Sequence, residues 1–370
     1  MLDNWLSKKQ ICLLRGVAVL IFLAQIGAFV WGSYRAMNIC KLSQPHSPYC
    51  DLTVVQTLTG EASAIALGAD GHTLVSSSNK TITVWHLPNQ QPQLTLQGHT
   101  NNIYDLALDT DGKTLVSGSF DKTIKVWNLA TGKLKFTLKG HSEAVNAVVI
   151  TPDQQTVVSA SYDKTIKVWN LATGQLRNTL AETPDALIVL ALSPNGQTLI
   201  SGDSGDHITL WDLATGQKGI TLNAHYGTIS ALAISRNGKL LASGSAKQVK
   251  LWNLATGELL QDFEGFYFPQ ITIAFSPDGQ SLIAGGGYKP YRIWNLTTGN
   301  IEATLAKDSN WSGAMVFSRD GKTLITGTQD GITVWRFAAP SNRVDHARNE
   351  KNLDDFTASR NIIKARFFPA

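Results

Sequence analysis

The sequence predicts an all-β fold, a seven-bladed β-propeller of four-stranded antiparallel sheets, preceded by one N-terminal transmembrane helix. Two observations support this prediction. Seven of the ten tryptophans recur at intervals of 41 or 42 residues, and self-similarity at a fixed period indicates one repeated supersecondary unit. An uncharged run of 17 residues, 16–32, lies near the start of the chain. Its length approaches what a helix needs to cross the hydrocarbon core of a bilayer.

Composition and charge narrow the classes of function. The chain has 370 residues, of which 43% are hydrophobic, so it is too apolar for a disordered protein. The net charge of +4 comes from the two ends, because residues 51–340 contain 21 basic and 23 acidic side chains. A slightly acidic body is poorly suited to neutralise phosphates. We therefore expect no nucleic-acid partner.

The N-terminal region is predicted to anchor the chain in a membrane. We expect residues 1–10 to be cytoplasmic, 11–34 to form the transmembrane helix and 35–51 to be a short tether. A cleaved signal peptide is the alternative interpretation, although its apolar region usually has only about 7–15 residues. A buried globular helix fits less well because the run has no polar face.

The basic residues that flank this segment predict its orientation. Lys8, Lys9 and Arg15 lie on the N-terminal side, and Arg35 and Lys41 lie on the C-terminal side. The small excess of positive charge before the span favours a cytoplasmic N-terminus. The body is then extracytoplasmic, in a periplasm or a lumen.

Two of the three cysteines, Cys40 and Cys50, bracket a short segment of the predicted tether. In an oxidising compartment they could form a disulfide that closes a small loop. Two free thiols are the other interpretation. A metal site at this pair is not predicted, because only His46 could supply a third ligand.

The body of the chain is a repeat array. Each unit contains four strand-length apolar runs, which are separated by turn residues; in the unit that begins at residue 141 the runs are AVNAVVI, TVVSAS, TIKVWNL and QLRNTL. Asp-Gly or Asn-Gly follows the first run in most units, and Ala-Thr-Gly or Thr-Thr-Gly follows the third. One small sheet cannot bury both of its faces, whereas sheets packed radially can. We number the units by their tryptophans, which are Trp85, Trp127, Trp169, Trp211, Trp252, Trp294 and Trp335.

The units QGHTNNIYDLALDTDGKTLVSGSFDKTIKVWNL and KGHSEAVNAVVITPDQQTVVSASYDKTIKVWNL resemble the WD-repeat (Trp-Asp repeat) family of β-propellers along their whole length. The near-identical repeats most resemble bacterial, cyanobacterial-like members. The resemblance implies one propeller over residues 52–337. It also implies that 52–60 is the outer strand of the last blade and closes the ring, which leaves no open seam. The tail, 338–370, lies outside the resemblance and is interpreted either as a docking helix or as disordered.

The resemblance also implies a hydrogen-bonded network of His, Ser, Asp and Trp in a unit. A His–Ser–Asp set suggests a hydrolase, but the set recurs and lacks an oxyanion-hole turn, so we predict a structural role. Units one, four, five, six and seven depart from the pattern, and blades two and three are expected to be the stiffest. The matching residues are His99, Ser117, Asp121 and Trp127 in unit two, and His141, Ser159, Asp163 and Trp169 in unit three.

Family members bind partners on the face that carries the loops from the fourth strand of one blade to the first strand of the next. Exposed aromatic side chains there would form a protein-binding hot spot. In unit six, an alternative role for the aromatic run is to fill the gap left by a missing His. The rim positions implied by the match are Asn102, Tyr104, Phe120, Asn146, Tyr162, Phe266, Tyr267, Phe268, Trp311 and Gln329.

These features predict a non-enzymatic, membrane-tethered scaffold for protein–protein contacts, with no cofactor and no metal. A quinone-binding propeller or propeller enzyme is a second hypothesis, but leucines (Leu134, Leu176 and Leu259) occupy the position at which quinoprotein repeats have a second Trp. A glycan-binding propeller outside the membrane is a third. The eight histidines form no H-x-H or H-E-x-x-H pattern, so the sequence does not indicate a metal site.

Overall fold

A computed structural model describes residues 52–264, 271–286, 289–305 and 312–337. The predicted transmembrane segment, the tether with Cys40 and Cys50, and the tail 338–370 lie outside this part of the chain. So do four of the predicted rim residues, namely Phe266, Tyr267, Phe268 and Trp311. Within the ranges that are described, no helix combines the length and the apolar character needed to cross a bilayer.

The described residues form 28 strands in seven four-stranded antiparallel sheets, which confirms the predicted seven-bladed propeller. Blade seven consists of the first strand, β1 (Leu52–Thr59), together with the last three described strands of the chain. The other strands are: in blade one β2 (Ala64–Leu67), β3 (Thr73–Ser78), β4 (Thr81–His86) and β5 (Gln91–Gln97); in blade two β6 (Ile103–Leu108), β7 (Thr114–Ser119), β8 (Thr123–Asn128) and β9 (Lys133–Lys139); in blade three β10 (Val145–Ile150), β11 (Thr156–Ser161), β12 (Thr165–Asn170) and β13 (Leu176–Glu182); in blade four β14 (Leu187–Leu192), β15 (Thr198–Asp203), β16 (His207–Asp212) and β17 (Lys218–Asn223); in blade five β18 (Ile229–Ile234), β19 (Leu240–Ser245), β20 (Gln248–Asn253) and β21 (Leu259–Glu264); in blade six β22 (Thr272–Phe275), β23 (Ser281–Gly286), β24 (Lys289–Asn295) and β25 (Ile301–Leu305); and in blade seven β26 (Ser312–Phe317), β27 (Thr323–Thr328) and β28 (Gly331–Phe337). A short 3-10 turn, Leu87–Asn89, joins β4 to β5.

The turn between the first and second strands of a blade depends on one residue in the left-handed conformation. In blade two, Gly112 has φ +70° and its N–H donates to Asp109 O at 3.2 Å. The Asp109 carboxylate then accepts the N–H groups of Lys113 and Thr114 at 2.8 and 2.9 Å. A glycine adopts this conformation without a steric penalty, which explains the recurring Asp-Gly and Asn-Gly pairs.

The core consists of apolar clusters between neighbouring blades. Between blades two and three, Val126 and Leu138 of blade two pack with Val148 and Trp169 of blade three. Each of the seven repeat tryptophans packs against the preceding blade. The sheet of each blade is therefore covered on both faces by its two neighbours. Full burial of such an aliphatic side chain contributes about 1.5–3 kcal/mol, so contacts between blades supply much of the driving force for closing the ring.

The two ends of the array meet in blade seven. Strand β1 pairs antiparallel with β28, from Leu52 opposite Phe337 to Thr59 opposite Gly331. Leu52 and Leu58 are buried against blades six and one, respectively. The ring is thus closed by main-chain hydrogen bonds and by apolar contacts, and β28 is not left as an open edge.

Candidate interaction face

The propeller has two unlike faces. We call upper the face with the loops that join β5 to β6 and β9 to β10, together with the turns between the second and third strands of each blade. The lower face carries the other two turns of each blade. Because strands alternate in direction, loop residues far apart in sequence meet on the same face.

Blade two joins its four predicted network side chains by hydrogen bonds. His99 Nδ1 lies 2.8 Å from Asp121 Oδ2, and His99 Nε2 lies 2.7 Å from Ser117 Oγ. Trp127 Nε1 donates to the same Ser117 oxygen at 2.9 Å. Burial opposes ionisation of Asp121, but hydrogen bonds from His99 and Thr123 outweigh burial and hold the pKa of this carboxyl below its usual value. The network therefore ties the upper loop to two strands and a turn.

Blade three repeats this geometry at the positions the family match implies. His141 contacts Asp163 at 2.8 Å and Ser159 at 2.7 Å, and Trp169 Nε1 donates to Ser159 Oγ at 2.9 Å. Burial lowers the pKa of His141 even though the Asp163 carboxylate favours its charged form. A neutral imidazole can donate one hydrogen bond and accept another, which suits an acid on one side and a hydroxyl on the other.

These networks are unsuited to nucleophilic catalysis. The Ser117 and Ser159 side chains are fully buried. Their hydroxyl oxygens already accept the indole N–H of Trp127 and Trp169. A catalytic serine must reach a substrate carbonyl beside an oxyanion hole, and neither hydroxyl has that access. The chemistry available here is the mutual satisfaction of buried polar groups.

The Trp–hydroxyl bond extends beyond these two blades. The indole N–H donates to Ser76 in blade one, Ser201 in blade four, Ser243 in blade five and Thr326 in blade seven, at 2.8 to 3.0 Å. The Trp and its hydroxyl partner are thus the most regular part of the repeat. The histidine and aspartate vary from blade to blade around that pair.

Blade four replaces the network with an acidic cluster at its upper end. Asp203 Oδ1 accepts the N–H groups of Gly205, Asp206 and His207 at 3.0, 3.0 and 2.9 Å. His207 Nδ1 lies 3.3 Å from Asp203 Oδ2. Asp185, Asp203 and His207 offer three possible metal-ligand atoms within 4.8 Å of one another. Asp203 Oδ1 is thus already the acceptor of three backbone N–H groups of its own turn.

Three of the predicted rim aromatics form a patch on the upper face of blades two and three, which we call the aromatic patch. Tyr104, Phe120 and Tyr162 are 39%, 47% and 45% exposed. The rings of Tyr104 and Phe120 meet edge to face, with centroids 5.9 Å apart. Burial, and to a lesser extent the nearby Tyr162 phenol, raise the pKa of Tyr104. A bulge in β6 between Ile103 and Asp105 makes Tyr104 the extra residue of that strand.

The other predicted rim residues divide into two groups. Asn102 and Gln329 are exposed on the upper face. Asn146 is half-buried, and its Nδ2 donates to Leu187 O of blade four at 2.7 Å. The amide of Asn146 thus joins blade three to blade four, and its role as a partner-contact residue stays a prediction. This hydrogen bond forms because blades three and four lie side by side in the ring, although Asn146 and Leu187 are 41 residues apart in the sequence.

The sequence prediction omitted Tyr226, which is 90% exposed and directly follows His225 in blade five. The corresponding residues in blades two and three are Thr100 and Ser142. An aromatic residue where other repeats have a small polar residue was the signal available in the sequence. Tyr226 adds an apolar ring to the upper face.

Comparison with protein families found one match that covers most of the propeller. Residues 61–331 match the family described as the IFT122 first beta-propeller. A search of curated proteins found no significant match. The family match and the seven four-stranded sheets agree with the WD-repeat-like pattern of the sequence.

Proposed function

This chain belongs to the IFT122 first β-propeller family, and from that premise we propose that it is a non-catalytic scaffold for protein–protein contacts, with partners docking on the upper face. Propellers of the WD-repeat type commonly serve as such scaffolds. The observation that carries the proposal is the exposed aromatic patch of Tyr104, Phe120 and Tyr162. Tyrosine and other aromatic residues are enriched among the residues that dominate binding energy at interfaces.

The buried networks support the proposal because they hold the patch in place. Phe120 directly precedes Asp121, and Tyr162 directly precedes Asp163. Asp121 accepts the N–H of Thr100 and Asp163 accepts the N–H of Ser142, which fixes each turn to the neighbouring loop. A surface that is already ordered loses less conformational entropy on binding. Blades two and three thus present their aromatic residues on stiff turns.

We also propose that the scaffold is tethered to a membrane by residues 11–34, with the propeller on the extracytoplasmic side. The uncharged run 16–32 and the excess of basic residues before it support this orientation. The near-identical repeats of blades two and three support a bacterial, cyanobacterial-like member. Partners would then be membrane or extracytoplasmic proteins.

In-situ crosslinking of the full chain in its membrane, followed by mass spectrometry, tests the docking face. The triple variant Tyr104→Ala/Phe120→Ala/Tyr162→Ala should reduce crosslinked partners by about tenfold or more, since each hot-spot residue contributes more than about 1 kcal/mol. The control Leu134→Ala/Leu176→Ala/Leu259→Ala removes similarly exposed apolar side chains at the start of outer strands. Equal partner recovery from both variants would contradict docking on the upper face.

A separate experiment tests the tether. Alkaline carbonate extraction should leave the full chain in the membrane fraction, and external protease should digest the propeller in spheroplasts. A chain that is released by carbonate would refute the anchor and leave the docking proposal standing. Protection of the propeller from external protease would reverse the proposed orientation.

A further inference from the structure

A cavity of about 490 Å³ opens on the lower face between blades four and five. Its walls include Thr198, Trp211, Asp212, Gly219, Ile220 and Asn237. It lies at the opposite end of the strands from the aromatic patch. Its volume falls within the range of about 300–1,000 Å³ that is typical of ligand sites. Its lining residues include one carboxylate and no basic side chain.

The corresponding place in blade three carries the side chain of an exposed arginine, Arg177. Arg177 is the extra residue of a bulge in β13, between the pairs Trp169–Leu176 and Val168–Asn178. Its Nη1 donates to Thr156 Oγ1 at 3.1 Å. The bulge side chain therefore lies over the first residue of the second strand and covers the lower end of the blade.

Blade six shows that this contact recurs. Glu302 is the extra residue of a bulge in β25. It is buried, and Ser281 Oγ donates to its Oε2 at 3.5 Å. Ser281 begins the second strand of blade six, as Thr156 begins that of blade three. Blades three and six thus each pair a charged bulge side chain with the hydroxyl that begins the second strand.

Blade four keeps the hydroxyl and lacks the side chain that would cover it. The repeat of 42 residues places Thr198 at the position of Thr156 and Gly219 at the position of Arg177. Gly219 falls within the irregular pairing of β16 with β17, and it contributes no side-chain atoms. The cavity therefore lies at the position where blade three has the Arg177 side chain.

The net charge at this place is more negative in blade four than in blade three. Asp212 stands where blade three has Asn170. Its Oδ1 accepts the N–H and hydroxyl of Thr215 at 2.7 and 2.8 Å, and these bonds lower the pKa of Asp212. The Asp212 side chain is exposed. Blade three balances Arg177 with the nearby Asp153, whereas blade four has Gly219 and Asn195 at these positions, so Asp212 is left without a basic counterpart in the cavity lining.

We propose that this cavity binds an arginine side chain of a partner protein, which takes the place that Arg177 takes in blade three. The planar guanidinium would donate to the Asp212 carboxylate and to Thr198 Oγ1, and its aliphatic stem would pack along Trp211 and Ile220. A lysine fits less well because its ammonium is a compact point charge without the fork of donors. The remaining volume accommodates the residues on either side of the arginine.

Titration of the purified full chain with the peptide acetyl-Gly-Arg-Gly-amide, followed by NMR or calorimetry, tests the proposal. The arginine peptide should bind with one-to-one stoichiometry, and acetyl-Gly-Lys-Gly-amide should bind about tenfold more weakly. Asp212→Asn should weaken arginine binding by about tenfold or more, since a charge-assisted pair becomes a neutral one. Equal binding of the two peptides, or unchanged binding to Asp212→Asn, would overturn the proposal.

A reciprocal exchange between blades gives the matched control. Gly219→Arg should fill the cavity from within and abolish peptide binding, whereas Gly219→Ala should retain it. The pair Asn170→Asp/Arg177→Gly should create a second site in blade three and raise the stoichiometry from one to two. Near-ultraviolet circular dichroism of the tryptophans would verify that each variant is folded. Peptide binding that survives Gly219→Arg in a folded protein would refute the site.

Arginines of the tail 338–370 are the competing occupants. A full-length variant with Arg343, Arg348, Arg360 and Arg366 replaced by glutamine should bind the peptide with the same affinity as the original chain. Binding that appears only in this variant would assign the cavity to the tail and overturn the proposal of a partner. Because the cavity and the aromatic patch are on opposite faces, none of these outcomes bears on upper-face docking.

Discussion

Blades two and five differ in how they satisfy one buried histidine. In blade two, both ring nitrogens of His99 have partners, Asp121 and Ser117. In blade five, His225 Nε2 contacts Ser243 at 2.7 Å, but its Nδ1 is buried and has no hydrogen-bond partner among the described residues. The strands and the tryptophan bond are the same in both blades. The comparison shows that the fold tolerates loss of the aspartate, at the cost of one unsatisfied polar atom.

The two blades therefore respond differently to protonation. Burial and the nearby Lys250 lower the pKa of His225 to about 4, because the fold favours the neutral ring. Hydrogen bonds keep the pKa of Asp121 below its usual value, so its charge persists into acid. Acid should consequently weaken blade five before it weakens blade two.

The largest expected effect comes from Asp121→Ala in blade two. This carboxylate accepts hydrogen bonds from His99, Thr100 and Thr123, and its removal leaves these donors without their partner inside the fold. We expect the free energy of unfolding to fall by about 3–5 kcal/mol, because several donors lose a charged acceptor and each loss costs about 1–3 kcal/mol. Urea unfolding followed by tryptophan fluorescence measures the change.

Two further variants control this result. Asp163→Ala should cause a loss of similar size, because blade three repeats the network. Asp111→Ala, at an exposed turn of blade two, should change stability little. A loss after Asp121→Ala no larger than that after Asp111→Ala would show that the network does not stiffen the blade.

The second effect is a loss of stability in mild acid that arises mainly from His225. The folded-state pKa lies below the unfolded value, so the unfolded chain binds the proton more readily. The stabilisation is complete above pH 6.5 and is lost as the pH falls toward 4, by about 3 kcal/mol in all. The difference in unfolding free energy between the original chain and His225→Gln should therefore decrease from pH 7 to pH 4.5.

His141 shares this acid dependence in part, since its pKa is also lowered. His141→Gln provides the comparison, and we expect a smaller decrease there because the Asp163 carboxylate stabilises a charged ring. If the His225→Gln difference is constant over this pH range, the imidazole of His225 is not held neutral by the fold.

The regular parts of this molecule were predictable from sequence, and its junctions were not. The tryptophan period and the four apolar runs per unit predicted the seven sheets, because each unit repeats the same pattern of strand-forming runs and turn residues. Asn146 could not be interpreted in this way, since its partner Leu187 O belongs to the next blade. The cavity at Gly219 needed the position of Arg177 in blade three, which becomes apparent only when the two blades are compared in three dimensions.

The third effect concerns Asp105 at the junction of blades two and three. Its Oδ2 accepts Val148 N at 2.8 Å, and burial raises its pKa to about 7. The folded chain holds this proton more tightly than the unfolded chain, so the contribution of Asp105 to stability decreases as the pH rises from 4 through 7. The stability difference between the original chain and Asp105→Asn should fall by about 2 kcal/mol over that range, since the half-buried side chain keeps some contact with water.

Urea midpoints at pH 4.5, 6 and 8 measure this change. Asn146→Asp is the matched variant at the junction of blades three and four, where the amide donates to Leu187 O. That substitution replaces a donor by a carboxylate that faces a carbonyl oxygen, so it should destabilise the chain more at pH 8 than at pH 4.5. A stability difference for Asp105→Asn that increases with pH would contradict the raised pKa.

The smallest effect contrasts the turns before the outer strands of blades one and two. Gln90 has φ +59° at the position where blade two has Gly132 with φ +69°. The left-handed conformation costs a residue with a side chain about 1–2 kcal/mol. Replacement by glycine removes this cost, but the larger backbone entropy of glycine in the unfolded chain offsets part of the stabilisation. Gln90→Gly should therefore stabilise the chain by about 0.5–1 kcal/mol, measured as a higher melting temperature. Gly132→Gln should do the opposite and by more, because a Cβ there would lie 2.9 Å from Leu94 Cδ1. If Gln90→Gly lowers the melting temperature, the side chain of Gln90 contributes more to this turn than its strained backbone costs.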